Sequence, residues 1–125
     1  MPQYAVRATL LSVLCLNNRG LHGEAAKQLI RMTSEDCDLR SAVLLEQAAL
    51  CFLAGPARKT LPRKYAFHMV LAGHRYSKAG QRKHSLRCYK QAYQVNIYYF
   101  YRFNLQLSLC IFLLLYRCIK VADGD

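Results

Sequence analysis

Residues 63–94 read RKYAFHMVLAGHRYSKAGQRKHSLRCYKQAYQ, and this stretch decides the fold. Its apolar residues recur at intervals of three and four on both sides of Gly80, which is the pattern of two amphipathic helices joined by a tight turn. The spacing predicts helices over 63–78 and 82–94. Small and aromatic residues alternate where the two helices should touch, and the predicted repeat-packing residues are Met69, Gly73, Tyr76, Ser85, Tyr89 and Ala92.

The spacing of these six residues is similar to that of tetratricopeptide repeats, in which small residues let two helices approach and aromatic residues fill the groove between repeats. Met69 stands where that repeat usually has tryptophan, and Ser85 where it has alanine. The same apolar periodicity, read outward towards the N-terminus, predicts three more helices over 4–17, 24–32 and 38–53. The expected fold is therefore all-α, a tetratricopeptide-like α-solenoid fragment of stacked helix pairs that occupies residues 1–95.

Two further sequence features concern the ends of the helices predicted in the N-terminal half. The first helix ends at Asn17-Asn18-Arg19-Gly20, which suits a left-handed C-cap. The third helix follows an acidic cluster in which Asp36 or Asp38 can cap the free amides of its first turn. This helix is apolar nearly all round, so it is expected to be packed between neighbouring helices.

The charge is unevenly distributed along the chain, which carries a net charge of +11. Residues 1–46 balance their acidic and basic groups, whereas residues 47–122 contain no Asp or Glu at all. Such a stretch cannot neutralise itself, so it is expected to meet an acidic protein, an anionic membrane or nucleic acid. A solvated face, or pairing with acids elsewhere in a longer chain, is the simpler alternative. The predicted basic interaction face consists of Lys64, His68, Arg75, Lys78, Lys83, Arg87 and Lys90.

No constellation in the sequence points to catalysis, to a cofactor or to a metal. GxSxG, HExxH, CxxC and glycine-rich phosphate-loop motifs are all absent from the sequence. His84 and Cys88 stand four residues apart, but two further ligands would have to converge on them to hold zinc. Cys37 and Cys88 are the thiols whose polar surroundings suggest some reactivity. The irregular spacing of the six cysteines predicts free thiols in a reducing compartment.

The last part of the chain, residues 96–125, is predicted to be a divergent hydrophobic tail, either a sixth apolar helix or a disordered segment. Its charge-free run, residues 103–116, is shorter than the roughly 20 residues that span a bilayer. Residues 97–116 reach that length if Arg102 snorkels to the interface, so a tail anchor is one hypothesis. Because many residues of the tail have A/T-rich codons, a retained intron is another.

Several stretches of residues 4–95 together resemble one known family. They are QYAVRATLL at 3–11, EAA at 24–26, QLIRMTSED at 28–36, RKYAFHM at 63–69, LAGHRYSKAGQ at 71–81 and RCY at 87–89. This sequence is similar to the subunit 8 family of the transport protein particle (TRAPP) complex. The loop at residues 53–62 and the tail depart from the family's pattern.

The resemblance implies a non-catalytic scaffold segment of a multisubunit vesicle-tethering complex that acts in endoplasmic reticulum to Golgi transport and in autophagy. It implies other subunits as partners, a Rab GTPase reached indirectly through the assembled complex, and a cytoplasmic location peripheral to Golgi membranes. The residues themselves leave two alternatives, a small basic tail-anchored membrane protein and an RNA-binding helical repeat. RNA is disfavoured because the tyrosines lie at core spacing and not on the basic face.

Overall fold

The computed structural model describes residues 3–33, 37–56, 60–99, 111–117 and 120, and the regular secondary structure within them is α-helical. The prediction of an all-α chain is thus confirmed. Residues 111–117, named the C-terminal segment below, are helical. The preceding helices of the described residues are α1 (Gln3–Asn18), α2 (His22–Arg31), α3 (Asp38–Leu53), α4 (Pro62–Lys78) and α5 (Arg82–Tyr99).

The same turn joins α1 to α2 and α4 to α5. Gly20 and Gly80 have φ values of +78° and +79°, a left-handed conformation that glycine adopts without steric cost. The amide of Leu21 donates to the carbonyl of Leu16 at 2.8 Å, and the amide of Gln81 donates to the carbonyl of Tyr76 at 2.8 Å. Each glycine amide also bonds the carbonyl three residues earlier. Both turns are therefore Schellman motifs, which satisfy the last carbonyls of the first helix and reverse the chain within a few residues.

The observed helices differ from the predicted ones at six ends. Three of these differences, at both ends of α1 and at the C-terminal end of α2, amount to one residue each. The helix α2 begins at His22 instead of residue 24. Gly23 is tolerated there because it lies in the first turn, where the backbone amides have no intrahelical partner. The helix α4 begins at Pro62, one residue early, because proline is favoured at the first helical position. The helix α5 continues to Tyr99, beyond the predicted end at residue 94, because neither Gly nor Pro interrupts it.

The helix α3 lies at the centre of the core, since it packs on α2 on one side and on α4 on the other. It has the predicted bounds, and the expectation that it lies between neighbouring helices is confirmed. Three of its buried residues are alanines, whose small side chains leave room for the neighbouring helices. Its buried residues are Ser41, Ala42, Leu44, Leu45, Ala48, Ala49, Cys51 and Phe52.

The C-terminal segment packs on the same core. Ile111 is fully buried, Leu115 is largely buried, and the ring of Phe112 lies 6.3 Å from that of Tyr93 on α5. Residues 96–99 of the predicted tail form the end of α5. The stretch between that helix and the C-terminal segment, which includes most of the anchor candidate at 97–116, lies outside the described residues. Among the residues that are described, no helix combines the length and the apolar character needed to cross a bilayer.

Candidate functional site

Glu46 is a mostly buried carboxylate that joins three helices. It projects from α3, and its side chain is only 13% exposed. The Tyr76 hydroxyl on α4 donates to its Oε2 atom at 2.7 Å, while Arg87 on α5 donates from Nη1 to Oε1 and from Nη2 to Oε2 at 3.1 Å. The His84 ring stacks on the Tyr76 ring with centroids 5.2 Å apart. These four residues are called the Glu46 cluster below.

The electrostatics of the Glu46 cluster favour the charged carboxylate. Burial raises the pKa of Glu46, but the hydrogen bonds from Arg87 and Tyr76 and the charges of Arg87 and His84 outweigh this, so the pKa is lowered overall. The Arg87 pKa is raised, first by its hydrogen bond to Glu46. Burial together with the Glu46 bond raises the pKa of the Tyr76 hydroxyl, which therefore stays protonated and keeps donating. The cluster is thus a fixed ion pair with a neutral donor.

A second ion pair connects α3 to α4. Arg75 Nη1 donates to Asp38 Oδ1 at 2.8 Å, and both side chains are mostly buried. The expectation that Asp38 caps α3 is wrong, because the N-cap residue is Cys37, whose own side chain makes no capping hydrogen bond. Asp38 lies inside the first turn, where its charge still suits the positive end of the helix dipole. Asp36, the other predicted cap, lies outside the described residues.

Asp38→Asn is expected to lower the free energy of unfolding by about 1 kcal/mol, since it removes a partly exposed ion pair and a favourable dipole charge. Urea denaturation of Asp38→Asn, Arg75→Gln and the double variant measures the coupling between the two side chains. A coupling energy indistinguishable from zero would contradict the assignment of a stabilising pair.

The structure distributes the seven residues of the predicted basic interaction face over several environments. Arg75 and Arg87 turn towards the carboxylates of α3, which differs from the expectation of one shared face. His68 donates from Nδ1 to the carbonyl oxygen of Lys64 at 2.7 Å, and its ring packs 4.9 Å from that of Phe52. The side chains that are left exposed are Lys64, Lys78, Lys83 and Lys90. They are called the lysine set below.

The six predicted repeat-packing residues lie on α4 and α5, and all of them are buried. Gly73 marks a close approach of the two helices, because a Cβ atom at this position would lie 2.5 Å from Cε1 of Tyr89. The Tyr89 ring is only 2% exposed, and its hydroxyl bonds His74 Nδ1 at 2.9 Å. Ser85 is 1% exposed, and its Oγ atom has no hydrogen-bond partner among the described residues.

The Cys88 thiol is fully buried on α5. Burial, followed by the charge of Glu46, raises the pKa of Cys88 to about 12, so the thiol is protonated at neutral pH. The suggestion that Cys88 is reactive is therefore wrong. Within the described ranges, no three His, Cys, Asp or Glu side chains gather as a metal site would require.

No family model matches the chain. The chain is 62% identical over 91 residues to the trafficking protein particle complex subunit 8 of Homo sapiens. The aligned stretch covers 73% of this chain but 6% of that protein, so the chain spans a small part of its relative's length. This identity over 73% of the chain confirms the resemblance that the stretches quoted in the sequence analysis indicated. The chain therefore contains a segment of the trafficking protein particle complex subunit 8 family.

Proposed function

We propose that this chain is a non-catalytic scaffold segment of a vesicle-tethering complex, in which its helices hold neighbouring subunits. The observation that supports this is the 62% identity over 91 residues to a protein named as a subunit of a trafficking complex. The described residues fit a packing role, because their most buried charged groups form ion pairs between helices rather than open catalytic groups. The proposal extends to transport between the endoplasmic reticulum and the Golgi and to autophagy.

The helices form a tetratricopeptide-like solenoid in this proposal. Its support is the packing order, since the main contacts of each helix are with its neighbours in sequence. Two glycine turns of the same geometry, at Gly20 and Gly80, produce two similar helix pairs. The helix α3 lies between them as a single helix, so the pairs are not stacked at a uniform repeat length.

The lysine set is the proposed contact surface. Lys83 and Lys90 are exposed on α5, and Lys64 and Lys78 are exposed on α4. Their partner in this proposal is an acidic surface of another subunit or an anionic membrane, where each lysine adds about 1 kcal/mol within a Debye length. A Rab GTPase is reached indirectly, through the assembled complex, and the chain is peripheral on Golgi membranes.

Affinity purification of the tagged chain from cultured cells tests the proposal. Other subunits of the trafficking complex are expected to co-purify with the wild-type chain, as identified by mass spectrometry. Lys83→Glu/Lys90→Glu is expected to reduce their recovery severalfold. Arg40→Glu, a change at an exposed residue of α3, is the matched control and is expected to leave recovery unchanged. Recovery of no complex subunit with the wild-type chain would overturn the proposed function.

Alkaline carbonate extraction separates this function from the tail-anchored alternative. A peripheral scaffold is released into the supernatant, whereas an anchored chain remains in the membrane pellet. Retention in the pellet, with no complex subunit recovered, would favour the small membrane protein instead.

A further inference from the structure

A groove of about 970 Å³ opens between α2, α3, α4, α5 and the C-terminal segment. Part of its lining is apolar, from Ile30, Leu45, Leu71 and Leu114. Its volume lies at the upper end of the range of small-molecule sites, which is about 300–1,000 Å³. The groove is separate from the Glu46 cluster, none of whose four members lines it.

Positive charge dominates the polar part of this groove. Its cationic side chains come from three different helical elements, and they are Arg75, Lys78, Arg82 and Arg117. No carboxylate is among the described residues that line it. Asp38 engages Arg75 from outside the lining, whereas Lys78 and Arg117 are exposed. The groove therefore keeps an excess of positive charge.

Neutral donors accompany these cations. The hydroxyls of Ser77 and Ser85 can donate, and the rings of His68 and His74 also line the groove. Ser85 is the notable member, because its Oγ atom is buried without a hydrogen-bond partner in the described part of the chain. A buried hydroxyl that lacks a partner is costly, so it marks a place where an acceptor is missing. Burial and the neighbouring charge of Lys78 lower the pKa of His74, which is consistent with a positive local field.

We infer that this groove binds a small ligand with several phosphate groups, of the inositol phosphate class. A phosphate monoester carries about −1.5 to −2 charges and three acceptor oxygens, which matches a set of Lys and Arg donors supplemented by hydroxyls. The cations belong to α4, α5 and the C-terminal segment, so a ligand with several phosphates offers separate anionic groups to the different sides of the groove. A scaffold role alone requires no such ligand, and this inference goes beyond the proposed function.

Isothermal titration calorimetry of the full 125-residue chain with inositol hexakisphosphate tests the inference. The wild-type chain is expected to bind, and Lys78→Gln/Arg117→Gln is expected to raise the Kd by at least an order of magnitude, roughly tenfold for each strong charged hydrogen bond that the substitutions remove. Lys83→Gln/Lys90→Gln removes the same charge from α5 outside the groove, and its Kd is expected to stay within about twofold, since it weakens only a screened long-range attraction.

Equal weakening by the two double variants would overturn the inference, since it would show attraction to net charge alone. Absence of binding by the wild-type chain would also overturn it. Thermal melts without ligand check that both variants fold. Folding is expected to be retained, because all four substituted side chains are exposed.

Vesicles distinguish a lipid-borne ligand from a free one. Phosphatidylcholine vesicles that carry a phosphatidylinositol phosphate compete with inositol hexakisphosphate if the groove takes lipid headgroups, and vesicles of equal charge made with phosphatidylserine do not. If neither vesicle competes while the groove variants still lose affinity, the free phosphate compound is the ligand. Competition by phosphatidylserine equal to that of the phosphatidylinositol phosphate would overturn specific phosphate recognition. Because the calorimetry uses no other subunit, a negative result there counts against the phosphate ligand and not against the scaffold proposal.

Discussion

Glu46→Gln is expected to lower the free energy of unfolding by about 2 kcal/mol. Hydrogen bonds to a charged group contribute about 1.5–3 kcal/mol each, but the side chain of Arg87 is 40% exposed, so solvent screening reduces the total. Glutamine keeps the volume of Glu46 and one acceptor for Tyr76, while it leaves Arg87 without a counter-charge. Urea denaturation followed by circular dichroism measures the change.

Acidification provides an independent check of the same residue. The pKa of Glu46 is lower in the folded chain than its ordinary value, so its stabilising contribution is complete above the unfolded-state pKa and is lost as pH falls through the folded-state pKa. The stability difference between wild type and Glu46→Gln should therefore shrink on acidification. Glu24→Gln is the matched control, because it makes the same change in an exposed ion pair. Glu24 lies 3.3 Å from Lys27, and both side chains are about 60% exposed. A difference for Glu46→Gln that does not depend on pH would contradict the ion pair.

Local sequence signals were sufficient for the helices. Gly20 and Gly80 mark two turns because only glycine enters the left-handed region without cost, and both adopt it. The periodicity of α3 predicted a helix with neighbours on both sides, since an apolar surface on all sides must be covered. The small and aromatic residues on α4 and α5 were selected by spacing alone, and the structure buries all six.

The Glu46 cluster could not be derived in this way. Glu46 lies 30 residues from Tyr76 and 41 from Arg87, and helical periodicity states which side of a helix is buried but not which residue of another helix faces it. One signal was present: Glu46 is the last acidic residue before an acid-free stretch, and it stands in a nearly apolar helix. A carboxylate in that setting needs a cation from the following helices. The spacing of α5 predicted that Arg87 lies in one polar stripe with Lys83 and Lys90. In the structure Arg87 pairs with Glu46 on α3, while the two lysines are exposed, and this difference depends on how α5 packs near α3.

Gly73→Ala is expected to lower the free energy of unfolding by about 2 kcal/mol, although alanine inside a helix normally stabilises it by up to about 1 kcal/mol relative to glycine. The added Cβ atom would lie 2.5 Å from Cε1 and 2.8 Å from Cδ1 of Tyr89, well inside contact distance. The ring cannot swing away freely, because it is buried and its hydroxyl bonds His74. The helices α4 and α5 must therefore separate. Thermal and urea denaturation both measure this loss.

Gly23→Ala distinguishes this steric effect from helix propensity. Gly23 lies in the first turn of α2 with nothing within 4 Å of an added Cβ atom, so alanine there is expected to stabilise the chain slightly, by up to about 0.5 kcal/mol. The two substitutions make the same chemical change and should have opposite signs. Combining Gly73→Ala with Tyr89→Leu should cost less than the sum of the single changes, because the shorter side chain leaves room for the new methyl group. If Gly73→Ala were as stabilising as Gly23→Ala, the close approach of α4 to α5 could not be what specifies this helix pair.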